Sequence, residues 1–147
     1  MKVSADTSVL FYAFDAQAGE RHDAALAIVD RLFRCDTVLL AQVFGEMAYA
    51  IRRKMPDVFE TAVDLMRDWT ALVAVELTTI EDILAGAALA RVRKIQTWDA
   101  VILSVARRAG ASVLLAEDMQ DGATFDGVTI LNPFDPANRA RLDDALA

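Results

Sequence analysis

Short apolar runs alternate along this chain with segments whose apolar residues recur at every third or fourth position. A short apolar run between polar residues indicates a buried strand, and the longer spacing indicates an amphipathic helix. The runs predict strands at residues 2–5, 37–40, 71–77, 112–116 and 128–131. The helical spacing predicts helices at residues 7–14, 21–33, 43–53, 56–69, from Thr79 or Glu81 to 91, 98–109 and from 135 onward.

Residues at the ends of these segments support the boundaries. Thr97 is predicted to cap the helix at residues 98–109, because a threonine hydroxyl accepts hydrogen bonds from the first free N–H groups. Gly110 follows that helix, where glycine commonly ends helices in the left-handed conformation. Pro56 and Pro136 stand in predicted first turns, where the missing N–H of proline costs little.

Strands that alternate with helices predict an α/β fold with a parallel sheet covered by helices. The 147 residues are a typical size for one domain, so we expect a single domain over 1–147. In open sheets of this kind, ligands bind beyond the carboxyl ends of the strands. Asp6 and Asp118 follow two predicted strands and are therefore expected at one edge of the sheet.

Four acids stand at the edges of apolar segments: Asp6, Glu46, Asp99 and Asp118. Each has a local alternative role as a turn former, a helix cap or an acid that suits the helix dipole. If they converge, two carboxylates about 4 Å apart repel by roughly 4 kcal/mol at an effective dielectric constant of about 20. A divalent cation relieves that repulsion, and carboxylate oxygens suit Mg²⁺ or Mn²⁺. No Cys/His pattern typical of zinc is present.

Composition narrows the class of protein. No apolar run approaches the ~20 residues of a membrane span, and we expect no signal peptide, no membrane and a cytoplasmic location. Cys35 is the single cysteine, so no internal disulfide forms. The apolar fraction of 55% is high and suggests surfaces that meet a partner. Trp69 and Trp98 are expected to be core or interface residues.

The net charge of −7 argues against tight binding of nucleic acid by overall charge. Basic residues are clustered, however, and each cluster is either a solvated helix end or a set of phosphate contacts. The two clusters are Arg52, Arg53 and Lys54, and Arg91, Arg93 and Lys94.

Four segments together resemble PIN domains, and specifically VapC-type ribonuclease toxins of toxin–antitoxin pairs. The segments are VSADTSVLFYAFD, QVFGEMAYAIRRK, TWDAVILSVARRAGASVLLAEDMQDG and VTILNPF. The resemblance implies a three-layer α/β/α fold with about five parallel strands, and Mg²⁺- or Mn²⁺-dependent cleavage of RNA that leaves a 5′-phosphate. It implies a cognate antitoxin whose basic side chain enters the acidic pocket, and a homodimer.

The resemblance also implies roles for individual residues. The acids Asp6, Glu46, Asp99 and Asp118 match the catalytic and metal-binding positions of the family, and the basic clusters become RNA contacts. Thr7 or Ser8 matches the hydroxyl beside the first acid, and Asp121 is an outer acid. Ala116 stands where many relatives have Ser or Thr, so one hydroxyl near Asp118 is missing.

Alternative functions are a metal-dependent DNA nuclease and a non-catalytic PIN-fold binding module. Comparing the cleavage of structured RNA with the cleavage of single-stranded DNA distinguishes a ribonuclease from the DNA nuclease. A module kept only for binding is expected to lose an acid, and all four are present. A phosphate-accepting receiver domain would need paired acids after the first strand and a late lysine before a strand, which this chain lacks.

Overall fold

A mostly parallel sheet runs through the middle of the computed structural model, which describes residues 1–147. Strands β1, β4 and β6 are parallel neighbours, and the short β5 pairs antiparallel with β6. Strands β2 and β3 form a parallel pair beside β1, joined to it by a bridge between Val3 and Thr37. The strands are β1 Val3–Ala5, β2 Val38–Leu40, β3 Ala74–Glu76, β4 Val113–Leu115, β5 Thr124–Phe125 and β6 Val128–Leu131.

Seven helices connect and cover the strands, which confirms the α/β class with three layers and a mostly parallel sheet. They are α1 Thr7–Leu10, α2 Glu20–Leu32, α3 Ala41–Lys54, α4 Phe59–Leu72, α5 Ile80–Arg93, α6 Thr97–Arg108 and α7 Arg139–Ala145. Short 3₁₀ turns follow α1 and precede α2, α4 and α7. No helix combines the length and the apolar character that a bilayer crossing requires.

The apolar strands form the centre of the core. All residues of β1, β2 and β4 are buried, as expected for strands covered by helices on both faces. Each fully buried aliphatic side chain there contributes roughly 1.5–3 kcal/mol relative to exposure. At the outer side of the sheet, Ala74 of β3 is exposed. The buried strands β1 and β4 are the ones that position the acids following their carboxyl ends.

Two local predictions need correction, and one strand was not predicted. The strand predicted at residues 71–77 is shorter, because Ala71 and Leu72 favour helix and continue α4 before β3 begins at Ala74. Thr97 does not cap α6: it is already helical, and Gln96 stands at the N-cap position without a capping hydrogen bond from its side chain. Strand β5 was not predicted, since two residues carry no periodicity. Thr79, rather than Glu81, caps α5, and Gly110 has the expected positive φ of 83°.

Candidate active site

The carboxyl ends of β1 and β4 are held together at one edge of the sheet. The backbone N–H of Asp6 donates a 2.8 Å hydrogen bond to the carbonyl oxygen of Leu115. Asp118 follows Leu115 by three residues, so the two acids open onto the same side. A groove of about 790 Å³ lies there, and Asp6, Glu46, Asp99 and Asp118 all line it. The four predicted acids therefore converge.

Asp6 is a nearly buried carboxylate that no basic residue pairs with. Its side chain accepts hydrogen bonds at Oδ2 from Ser8, at 3.2 Å from the backbone N–H and at 2.7 Å from the hydroxyl. Asp6 is 4% exposed, and burial raises its pKa to about 6. The hydrogen bonds from Ser8 oppose that rise, and the negative charges of Asp118 and Glu46 add to it.

Glu46 is held in place by two neighbours, one on each carboxylate oxygen. The hydroxyl of Thr7 donates to Oε2 at 2.7 Å, and the amide nitrogen of Gln42 donates to Oε1 at 2.9 Å. Gln42 precedes Glu46 by four residues on α3 and therefore lies on the same face of that helix. Thr7 is on α1, so its hydrogen bond joins the two helices across the groove.

Asp99 and Asp118 complete the acidic lining. Asp99 is half-buried in the first turn of α6, and Asp118 is exposed on the loop after β4. Burial raises the pKa of Asp99 to about 6, and the charges of Asp118 and Glu46 raise it further. No Lys or Arg forms an ion pair with any of the four acids. The four acids thus concentrate negative charge that no ion pair within the protein neutralises.

The donor set fits a divalent cation that prefers oxygen ligands. Carboxylate oxygens are what Mg²⁺ and Mn²⁺ take, often together with several waters. In their present rotamers, no three acidic, histidine or cysteine side chains are gathered closely enough to enclose an ion directly. Asp118 is the most exposed of the four acids, so its side chain has the most room to turn toward the others.

Ser8 is a site residue that the family resemblance offers only as the alternative to Thr7. Besides binding Asp6, its hydroxyl oxygen accepts a 3.0 Å hydrogen bond from the backbone N–H of Glu117. Ser8 therefore ties Asp6 to the loop that carries Asp118. Ala116, where a hydroxyl was expected to be missing, is fully buried in the sheet and its N–H donates to Leu131. The hydroxyl next to the loop that carries Asp118 is therefore that of Ser8 on α1.

Glu117 faces a different part of the groove. A guanidinium nitrogen of Arg21 lies 2.6 Å from its Oε1, and the same guanidinium lies 4.8 Å from the centre of the Phe134 ring. The pKa of Tyr12 is raised, by burial first and then by its contact with Glu117. Glu117, neutralised by Arg21, and the hydroxyl of Tyr12 therefore lie in this part of the groove.

The predicted RNA contacts are only partly at the groove. Lys54 lines it, with Nζ 5.3 Å from the centre of the Phe11 ring. The other five basic residues are exposed and do not line it: Arg52, Arg53, Arg91, Arg93 and Lys94. Trp98 is 56% exposed and lines the groove, so it is not a core residue, whereas Trp69 packs against Phe14 and Phe33.

Asp121 lies outside the groove. It accepts hydrogen bonds from the backbone N–H of Asn132 and from the side-chain amide of Asn138, both at 2.8 Å. Burial tends to raise its pKa, but these hydrogen bonds and the charge of Arg141 outweigh burial, and the pKa is lowered. Its visible role is to join the loop after β4 to the chain after β6.

Residues 4–121 match the family model of the PIN domain. Among solved structures, the chain is similar to Mycobacterium tuberculosis VapC20, a toxin that cleaves the sarcin–ricin loop. The TM-score is 0.62 at 21% sequence identity, and the match covers 79% of this chain and 89% of that chain. This similarity establishes the fold. No curated protein sequence matches the chain.

Proposed function

The chain belongs to the PIN domain family, and from that premise we propose that it is an endoribonuclease toxin of VapC type, the toxic member of a toxin–antitoxin pair. The observation that carries the proposal is the convergence of Asp6, Glu46, Asp99 and Asp118 on one groove without a basic partner. RNA is the proposed substrate because the chain belongs to the PIN family and shares its fold with VapC20, a toxin that cleaves the sarcin–ricin loop.

We propose that the four carboxylates hold Mg²⁺ or Mn²⁺, which when bound lowers the pKa of a water and offsets the charge of the phosphate. Thr7 and Gln42 keep Glu46 oriented, and Ser8 does the same for Asp6. Hydrogen bonds of this kind hold metal ligands in their working orientation. Asp6 is itself shielded from bulk water, since it is 4% exposed.

Lys54 is the proposed phosphate contact closest to the acids, since it lines the same groove. A cation placed there attracts the RNA backbone despite the net charge of −7, because the local field decides the approach of a charged ligand. Arg52 and Arg53 are exposed on the same helix and would contact further phosphates of the RNA strand. Arg91, Arg93 and Lys94 form a second, more distant patch at the end of α5.

The proposed partners are a cognate antitoxin and a second copy of this chain, with the 147 residues acting as one cytoplasmic domain. An antitoxin with a basic side chain would neutralise the acids directly. Apolar side chains available for such contacts include Leu77, Ile80 and Leu84, each more than 60% exposed. Co-expression with the product of a short upstream reading frame should relieve growth arrest.

The decisive experiment compares wild type, Asp6→Asn and the control Asp68→Asn on structured RNA and on single-stranded DNA. Asp68 is exposed on α4 and forms no ion pair, so its change removes the same charge away from the groove. We expect RNA cleavage in Mg²⁺ or Mn²⁺ by wild type and control, none by Asp6→Asn, and none in a chelator. Full activity of Asp6→Asn would refute the site, and preferential cleavage of DNA would favour the DNA nuclease.

A further inference from the structure

A second, smaller cavity opens beside the acidic groove and shares part of its wall. Its volume is about 150 Å³, and Gln96, Asp99 and Asp118 line both spaces. The cavity is therefore separated from the proposed metal centre only by two of the four carboxylates. If one part of a substrate enters this cavity, the adjoining part of the same substrate lies beside Asp99 and Asp118.

The lining is apolar below and amide-bearing at the mouth. Phe125 and Ile130 are buried residues of β5 and β6, and Met119 is half-buried on the loop after β4. Gln96 and Gln120 are exposed and bring side-chain amides, each able to donate and to accept hydrogen bonds. No basic side chain lines this cavity.

This lining selects a neutral, flat occupant. The cavity lining offers no basic side chain to a phosphate, so the base is the part of a nucleotide that suits it. An apolar cavity of ~150 Å³ is large enough for a benzene ring. An aromatic wall with amides at the rim is how proteins take a base out of a single strand, by stacking and by hydrogen bonds to its edge.

We propose that this cavity binds one unpaired pyrimidine base of the RNA, on the nucleotide next to the bond that is cleaved. The inference rests on the proposed function and adds a specificity site to it. The six-membered ring lies against Met119 and Phe125, and Gln96 and Gln120 bind its polar edge. The guanidinium of Arg93 lies 4.6 Å from the centre of the Phe125 ring and places a positive charge beside this cavity.

A direct binding test needs no cleavage. The protein labelled with ¹³C at the methionine methyl groups is titrated, without metal, with uridine, cytidine, adenosine, guanosine and ribose. We expect uridine or cytidine to shift the Met119 methyl resonance upfield, because a stacked ring places that methyl group in its ring current. Met66, buried on α4 away from the cavity, serves as the unshifted internal control.

A specificity test uses short RNAs that carry each of the four bases beside the cleaved bond. We expect wild type to prefer a pyrimidine there by about tenfold in kcat/KM, and Gln120→Ala to reduce that preference at least threefold while cleavage persists. Gln17→Ala is the matched control, since Gln17 lines the groove but not the small cavity.

The outcomes separate the two proposals. If neither pyrimidine nucleoside shifts Met119, or if the purines saturate its shift at lower concentration than the pyrimidines do, the base site is wrong even where RNA is cleaved. An unchanged base preference in Gln120→Ala also counts against it. If wild type cleaves no RNA but Met119 responds to pyrimidines, the base site stands and the proposed ribonuclease activity fails. A Met119 shift caused by ribose alone would point to another occupant and overturn the proposal.

Discussion

The hydroxyl of Thr7 lies 2.7 Å from Oε2 of Glu46 and donates a hydrogen bond to it across two helices. The contact is between residues that are 39 positions apart in sequence, so it forms only when α1 and α3 are packed. It leaves Glu46 with a defined orientation before any cation binds. The carboxylate therefore does not have to be ordered at the moment of binding.

Replacement of Thr7 by valine should test this orientation. Valine keeps the branched shape but cannot donate, so we expect RNA cleavage at limiting Mg²⁺ to fall by about 10- to 100-fold, the usual effect of losing a group that orients a metal ligand. Thr7→Ser should retain most activity. Thr70→Val is the control, since Thr70 is exposed on α4 and its hydroxyl binds only the carbonyl of Arg67. Equal activity of Thr7→Val and wild type would contradict the orienting role.

The raised pKa values of Asp6 and Asp99 make the stability of the metal-free protein depend on pH. Both carboxyls titrate near 3.8 when unfolded and at about 6 when folded. Between these values the folded state binds more protons, so this contribution to stability is greatest below about pH 4 and is lost as the pH rises through 6. Thermal unfolding in chelator should show a smaller loss over this range in Asp6→Asn than in wild type.

A divalent cation should restore the stability that the protein loses as the pH rises through 6. Mg²⁺ or Mn²⁺ binds deprotonated carboxylates, so it should raise the melting temperature at pH 7.5 and have little effect at pH 5. Asp6→Asn should show a much smaller increase, and the exposed-charge variant Asp68→Asn the same increase as wild type. Equal metal-induced increases in wild type and Asp6→Asn would argue against a cation at these acids.

Gly86 on α5 allows a close approach to α6. A methyl group added there would lie 2.7 Å from Cγ2 and from the backbone nitrogen of Val101. Because backbone cannot move aside easily, we expect Gly86→Ala to destabilise the protein by about 1–3 kcal/mol in urea unfolding. Gly45→Ala on α3 is the control, since no atom lies within 4 Å, and alanine there should stabilise by up to about 1 kcal/mol.

Asp82 at the start of α5 is held by Arg108 at the end of α6. The side chain of Asp82 is 5% exposed, and Arg108 donates to both of its oxygens, at 3.0 Å from Nε and 2.8 Å from a terminal nitrogen. Arg108→Met should cost about 2 kcal/mol, less than the ~3–5 kcal/mol for a fully buried pair because Arg108 is 37% exposed. Arg67→Met, in an exposed pair, should cost less than about 0.5 kcal/mol.

The same pair predicts an acid-sensitive component of stability. The hydrogen bonds from Arg108, followed by those from Thr79, lower the pKa of Asp82 to about 2 against the opposing effect of burial. This contribution is fully present above about pH 4 and is lost as the pH falls toward 2. In Arg108→Met the unfolding free energy should therefore fall less steeply between pH 4 and pH 2 than in wild type.

The sequence alone placed Asp6 and Asp118, because residues that follow parallel strands must meet at one sheet edge. Glu46 and Asp99 are on helices, and local spacing could not bring them to that edge without the family resemblance. The sequence also could not predict which of the basic side chains face the groove. Lys54 and Arg53 are adjacent, yet only Lys54 lines the groove, because successive helical positions point about 100° apart.

The hydrogen bond between Asp6 and Leu115 can form only after most of the chain has been synthesised. The four acids are spread from position 6 to position 118, and β1 has no partner strand on that side until β4 has been synthesised. A nascent chain on the ribosome therefore cannot assemble the groove during most of its translation. For a protein proposed to cut RNA, we therefore expect an incomplete copy to be unable to cleave the message and the ribosome that are producing it.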